Sequence, residues 1–299
     1  MLPLSRLFIL FATLVAIPLP AKAPPTPAAT ARPALWKLAD ADTTIWLFGT
    51  IHILPDQYRW RTPAIDAAIG QSGRLTLETV LDDDPTVLAR TLISLGQASG
   101  LPPLADRVPA DKRKALADLV ALSGISEARL QGMKTWAAAV LLTGAAMQQI
   151  GVPISKDGGV EAQLTGNFRA AGKPVDGLET PAQQLGFFDT LPESAQRAFL
   201  IAMLDPPAKS AREFHDLIAA WAHGDIAGIA RAFDDDPEFT PETRETLIRK
   251  RDVAWADALA KRLETPGTFF VAVGAGHLTG RDAVQPMLAA KGLKVVRVQ

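Results

Sequence analysis

The stretch "TTIWLFGTIHILP" at residues 43–55 is an apolar run that leads through a glycine to His52. The stretch "TFFVAVGAGHLTG" at residues 268–280 repeats the pattern and leads to His277. Each run has the length and the aromatic and β-branched content of a buried strand, and each continues into G-x-x-H. The chain has only four histidines, so two in the same relation to a strand predict a shared site.

Two glutamates stand at equivalent places in two other predicted strands. Glu78 ends "RLTLETV" at residues 74–80, and Glu179 ends "KPVDGLET" at residues 173–180. Ligand sites in open α/β sheets collect at the carboxyl ends of the strands. If the four strands are parallel neighbours, two imidazoles and two carboxylates converge at one edge of the sheet.

The order of predicted elements indicates a single α/β domain over residues 35–299. Strands at 35–39 and 293–298 complete a central sheet, mixed or mostly parallel, with helices packed on it. The helical segments at 85–150 and 181–264 are too long for single crossovers, so they predict a helical layer or insertion. Within them, "WAAAVLLTGAAMQQIGV" is typical of a buried helix and is short for a membrane span.

The N-terminus has the pattern of a secretory signal peptide. Residues 1–23 combine Arg6, a short apolar run and the cleavage pattern Ala21-Lys22-Ala23, which predicts export to the periplasm or the outside of the cell. An uncleaved membrane anchor is the alternative, and it is the one predicted contact with a membrane. Residues 24–34 are rich in Pro and Ala and predict a linker.

Composition excludes several classes of function. A formal net charge of −1 lacks the basic footprint of a nucleic-acid-binding protein. Without cysteine the chain has no disulfide, no thiolate nucleophile and no cysteine-based zinc site. These observations leave the oligomeric state open.

The four strand-end residues suit a divalent ion such as Zn²⁺, Mn²⁺ or Co²⁺. A bound ion lowers the pKa of a coordinated water, and one glutamate, Glu78 or Glu179, is then left as general base. The same set without a metal still supports acid–base chemistry. Taken singly, a strand-end histidine is commonly a satisfied polar residue and a strand-end glutamate a helix N-terminal acid, but their duplication favours a functional site.

A charged pair interrupts the apolar stripe of the helix predicted at 241–264. Asp252 lies on the stripe and Arg251 lies beside it, which is unfavourable without partners. One interpretation pairs them locally with Arg249 and Lys250. The other turns Arg251 toward the site, where it steadies a carboxylate or a developing oxyanion.

Together these residues resemble the TraB/GumN family, whose relatives include the Tiki proteases and, more distantly, erythromycin esterases and haem-binding ChaN-like proteins. The matching marks are both G-x-x-H motifs, Glu78, "GLET" at Glu179 with a following glutamine, "MKTW" at 133–136 for the family's M-K-P-W, and Arg251-Asp252 for its Arg-Asn. The resemblance implies an α/β fold like that of these relatives and, from the Tiki branch, a peptidase that uses Mn²⁺ or Co²⁺.

The strand-end residues and this resemblance together predict an exported metal-dependent hydrolase that acts on a peptide or a small-molecule substrate, with the peptide bond foremost. His52, His277 and one glutamate hold the ion, the other glutamate handles protons, and Arg251 stabilises charge. Two alternatives stay open: an exported protein that binds haem or another ligand at the same strand ends, and a regulatory module that binds a peptide without cleaving it.

Overall fold

The computed structural model describes residues 29–55, 58–151, 158–234 and 239–299. The predicted signal peptide at residues 1–23 and residues 24–28 of the predicted linker lie outside this part of the chain. No helix within the described residues is both long enough and apolar enough to cross a membrane.

The described chain has eight strands, of which six fall at the places that the apolar runs predict and two, at residues 29–30 and 58–59, do not. They are β1 (Ala29–Thr30), β2 (Leu35–Ala39), β3 (Thr43–Thr50), β4 (Tyr58–Arg59), β5 (Arg74–Thr79), β6 (Val175–Glu179), β7 (Gly267–Gly274) and β8 (Val295–Arg297). Six of them form the central sheet in the order β6-β5-β7-β3-β2-β8, and β1 pairs with β4 separately. Strand β2 runs antiparallel to both its neighbours, and the other pairs are parallel. The predicted mostly parallel α/β sheet is thus confirmed.

Alternating side chains give the sheet two apolar faces. Phe48 and Leu77 belong to the large core on one face, where Phe48 stacks on Trp60 with ring centroids 5.5 Å apart. Leu47 and Val271 belong to the smaller core on the other face. Because successive side chains of a strand point to opposite faces, neighbouring residues at a strand end enter different environments.

Helices cover both faces of the sheet. They are α1 (Pro63–Gln71), α2 (Pro85–Gly96), α3 (Arg113–Ser123), α4 (Glu127–Gln131), α5 (Thr135–Ile150), α6 (Val160–Ala170), α7 (Pro181–Asp189), α8 (Glu193–Ala202), α9 (Pro207–Ala222), α10 (Ile226–Asp234), α11 (Pro241–Arg244), α12 (Lys250–Arg262) and α13 (Val284–Ala290). Helices α12 and α13 supply the smaller core, and α5, α6 and α9 supply the larger one.

Helix α5 is the buried helix that its apolar, Ala-rich sequence predicts. Its buried residues occur all around the helix rather than on one stripe. Gly96 lets α2 approach closely, because a Cβ atom at that position would overlap the side chain of Ala137. The Nε1–H of Trp136 and the Nζ of Lys134 reach Asp189 Oδ1 at 2.9 and 2.7 Å and tie α5 to α7.

The helix predicted at 241–264 is interrupted by a π-helical turn at Glu245–Arg249 between α11 and α12. Such turns insert a residue into the helical repeat and rotate the next part of the helix about its axis. The turn ends two residues before Arg251, so it helps to set the direction in which that side chain leaves the helix.

Residues 29–34, at the end of the predicted linker, pack against the folded chain. Ala31 is buried and donates its N–H to the carbonyl of Arg59 at 2.8 Å. Arg32 donates its N–H to the carbonyl of Ala222 at 2.7 Å. The small side chain of alanine suits both a flexible linker and a crowded contact, which is why composition does not separate the two here.

Candidate functional site

The carboxyl ends of four parallel strands lie side by side, which is the condition for the four strand-end residues to converge. Across the sheet the order is Glu179 on β6, Glu78 on β5, His277 just after β7 and His52 just after β3. In the register, Thr79 pairs with Glu179 and Thr50 pairs with Gly274. The four predicted residues therefore reach one edge of the sheet, where they divide into two groups.

Arg251 is the centre of the first group. Its Nε and Nη2 donate to Glu179 at 2.9 Å each, and Nη2 also donates to Glu78 Oε2 at 2.8 Å. Its Nη1 lies 3.1 Å from His277 Nε2. The guanidinium is 2% exposed and lies over the ring of Trp255, 4.7 Å from its centroid.

The two carboxylates have further donors. Glu78 Oε1 accepts the backbone N–H of Gly274 at 2.6 Å, and its Oε2 accepts Gln184 Nε2 at 3.0 Å. Glu179 Oε1 accepts Trp255 Nε1 at 3.0 Å. Both carboxylates are thus bonded on each oxygen, as buried charges need to be.

His277 is neutral with its proton on Nδ1. Arginine can only donate, so His277 Nε2 accepts from Arg251 and Nδ1–H donates to Asp252 Oδ1 at 2.6 Å. Asp252 therefore pairs with His277, whereas Arg249 pairs with Glu245 at 3.1 Å. We call Glu78, Glu179, Arg251, Asp252 and His277 the arginine cluster.

Burial dominates the electrostatics of the arginine cluster. Burial, then the charges of Arg251 and His52, hold the pKa of His277 well below its ordinary value. Burial raises the pKa of Glu179; Arg251 opposes this shift and Glu78 adds to it. Burial also raises the pKa of Asp252 well above its ordinary value, against the opposing charge of Arg251. The two glutamates in turn raise the pKa of Arg251 despite its burial.

His52 belongs to the second group, together with a residue that the sequence did not suggest. Its Nδ1 lies 2.7 Å from Glu161 Oε1, and Thr50 Oγ1 donates to the same oxygen. Burial raises the pKa of Glu161, but His52 and Thr50 outweigh it, so the pKa is lowered. Glu161 is therefore an ionised carboxylate at neutral pH, and we call these two residues the His52–Glu161 pair.

The start of helix α6 fits against the loop after β3. Val160 donates its N–H to the carbonyl of Ile51 at 3.1 Å. At Gly159 a Cβ atom would overlap the backbone carbonyl of His52. Glycine at this position lets α6 approach closely enough for Glu161 to reach His52.

A cavity of about 500 Å³, which we call the edge cavity, opens beside the His52–Glu161 pair. Its walls are formed by the carboxyl end of β5 and by helices α5 and α6. Apolar residues, Leu77 and Met147 among them, form much of the wall. Its charged lining residues besides Glu161 are Asp82, Asp83 and Arg169, of which the last two form an ion pair at 2.7 Å.

The sequence predicts that the four strand ends lie side by side, as they do in the structure. It does not predict that their side chains separate into two groups. Glu78, Glu179 and His277 bind Arg251, and His52 binds Glu161 and lines the edge cavity. Glu161 shares a helical stripe with Leu164 and Phe168, all three buried. A carboxylate on an apolar stripe is the signal that singled out Asp252, and the same signal would have found Glu161.

The side chains of the arginine cluster do not fit a metal ion. A divalent ion between Glu78, Glu179 and His277 would occupy the space of the Arg251 guanidinium, which already bonds all three. Over the described residues no group of three or more His, Asp or Glu side chains is arranged to hold a cation. Metal binding stays a prediction from sequence.

Comparison with known proteins gives a family and two bacterial relatives. The model of the TraB/PrgY/gumN family matches residues 34–297. Two proteins named YbaP, from Escherichia coli (strain K12) and Shigella flexneri and each described as uncharacterized, are 25% identical over 189 residues, which is 62% of this chain and 67% of theirs. No solved structure matches the chain.

Proposed function

Because the chain belongs to the TraB/PrgY/gumN family, we propose that it is an exported hydrolase of amide bonds, foremost peptide bonds. The edge cavity is its substrate site and the His52–Glu161 pair is its acid–base group. One observation carries the proposal: a histidine–carboxylate pair 2.7 Å apart lines a cavity of about 500 Å³ at the carboxyl edge of the sheet. Small-molecule sites have such volumes and positions, and the predicted signal peptide supports export.

The two residues have separate roles in this reaction. The ionised Glu161 holds Nδ1–H of His52 and fixes the ring. The opposite nitrogen, Nε2, takes a proton from water as the water oxygen attacks the carbonyl carbon. His52 returns that proton to the leaving nitrogen as the C–N bond breaks, so one water is consumed and a carboxylic acid and an amine are formed. Acid–base catalysis of this kind contributes about 10²–10⁴-fold.

The metal-dependent peptidase that the resemblance implies is the rival mechanism. The geometry favours it less, because Arg251 must leave Glu78 and Glu179 before an ion can bind them. No step of the proposed reaction depends on a metal.

The test is hydrolysis of an internally quenched fluorescent peptide library by the full chain and its variants. We expect His52→Ala to lower kcat/KM by about 10²–10⁴-fold and Glu161→Gln to lower it by a smaller factor. His223→Ala is the matched control, because His223 lies exposed at the C-terminal end of α9, outside the edge cavity, with its Nδ1 2.7 Å from the carbonyl of Ala219. We expect this variant to keep the wild-type rates.

Two results would overturn the proposal. One is full activity in a folded His52→Ala protein. The other is activity that disappears on dialysis against a chelator and returns with Mn²⁺, Co²⁺ or Zn²⁺, which would support the metal-dependent mechanism instead.

A further inference from the structure

Thr79 carries an unusual hydroxyl. The residue is 3% exposed, and its Oγ1 is buried without a hydrogen-bond partner. Every other buried threonine in the described ranges has one; Thr76 donates to Asp176 at 2.6 Å and Thr143 to the carbonyl of Ala139 at 3.2 Å. Buried polar groups without partners are rare and need an explanation, such as a ligand.

The position of Thr79 points to the edge cavity. It is the last residue of β5, and it shares a strand face with Leu77, two residues earlier. Both residues line the edge cavity. Glu78, between them, enters the arginine cluster on the other side of the strand.

A second orphaned atom lines the same cavity. Glu161 is 8% exposed, and while its Oε1 is bonded, its Oε2 is buried without a hydrogen-bond partner. A hydroxyl that can donate and a carboxylate oxygen that can only accept therefore both belong to residues of the cavity wall. A ligand that satisfies both brings an acceptor and a donor together.

An amide carries this combination in one group, whereas an ester has no donor. We infer that Thr79 binds the carbonyl oxygen of the substrate in the edge cavity, that Glu161 Oε2 accepts its N–H, and that the substrate is accordingly an amide with an apolar side group. Leu77 and Met147 on the wall receive that side group. The role of Thr79 rests on the proposed function, because it takes the edge cavity as the substrate site.

Binding tests the inference without requiring turnover. N-acetyl-leucine amide and N-acetyl-leucine methyl ester are the probes, titrated calorimetrically into the full chain carrying His52→Ala, alone and with a second change. We expect the amide to bind more tightly than the ester. We expect Thr79→Val to weaken amide binding about tenfold and Thr79→Ser, which keeps the hydroxyl, to restore it.

Thr91→Val is the matched control, because Thr91 lies in α2 outside the edge cavity and donates its hydroxyl to the Val87 carbonyl of the same helix at 3.0 Å. We expect it to leave amide binding unchanged. The thermal midpoint of Thr79→Val should equal or exceed that of its parent, since the change removes an unpaired buried hydroxyl.

Unchanged amide binding in Thr79→Val, equal binding of amide and ester, or no binding of the amide overturns the inference. Amide binding that depends on Thr79 in a chain whose wild type hydrolyses no peptide supports the inference and contradicts the proposed function. If the wild type hydrolyses peptides and Thr79→Val leaves amide binding unchanged, the proposed function is supported and the inference about Thr79 is contradicted.

Discussion

At the scale of single residues, Arg251 holds the largest concentration of buried charge in the described chain. It faces two carboxylates and a neutral imidazole, and all of its donors are used inside the protein. Burial raises the pKa of Glu179; Arg251 opposes this shift, and the charge of Glu78 adds to it. Removing the cation would leave both carboxylates buried without their main partner.

We expect Arg251→Met to lower the free energy of unfolding by about 3–5 kcal/mol, because an unpaired buried charge is strongly destabilising. Arg249→Met is the control. It removes an exposed partner of Glu245 on the same stretch of helix and should change stability by no more than about 0.5 kcal/mol. Urea unfolding measures both, and equal effects of the two changes would contradict the central role of Arg251.

At the scale of elements, the contact between helix α6 and the loop after β3 builds the His52–Glu161 pair. Glu161 lies in the first turn of α6, and His52 follows the last residue of β3 by two positions. The chain needs Gly159 at their junction because the loop backbone leaves no space for a side chain. The distance between His52 and Glu161 therefore depends on this one packing contact.

We expect Gly159→Ala to lower stability by about 1–3 kcal/mol, because the new methyl group must displace α6 or the loop. Hydrolysis should fall with it, since Glu161 moves away from His52. Gly186→Ala, inside helix α7 and outside the edge cavity, brings its new Cβ within 4 Å of no atom beyond its chain neighbours and its own helix backbone. It should gain about 0.5–1 kcal/mol. Thermal unfolding and peptide hydrolysis check both variants, and a loss of equal size in the two would count against the junction.

At the scale of the whole molecule, the buried groups couple stability to pH. His277 has a pKa well below 6.5 in the folded chain, so the folded state stays neutral at this residue while the unfolded state takes up a proton. Its contribution to stability is present above pH 6.5 and is lost as the pH falls. Glu179 and Asp252, whose pKa values are raised, contribute with the opposite sign as the pH rises.

The contribution of His277 to the pH dependence of stability is measured by comparing the wild type with His277→Gln. Below pH 6.5 we expect the free energy of unfolding of the wild type to fall by about 1.4 kcal/mol per pH unit more steeply than that of His277→Gln. Denaturant titrations across this pH range give the slopes, and parallel lines for wild type and His277→Gln would refute the assignment.

The sequence predicts the fold better than the site because different physics decides them. Apolar runs ending in glycine locate the strands, and His52 and His277 locate the edge of the sheet at which the candidate site lies. The pleat of a strand decides the face to which each side chain points. Glu78 and Thr79 therefore point to opposite faces of β5 although they are neighbours in sequence. The partner of His52 is Glu161, more than a hundred positions away, and only the packing of α6 brings the two together.

The central strand of the sheet comes late in the chain. Strand β7, at Gly267–Gly274, lies between β5 and β3, and both of those strands precede it by well over a hundred residues. A nascent chain from which residues 267–274 have not yet emerged holds two partial sheets that lack their common neighbour. Loop closure over such separations is slow, so the sheet is completed only after residues 267–274 have been synthesised, and a chain cut short before residue 267 lacks the strand that joins β5 to β3.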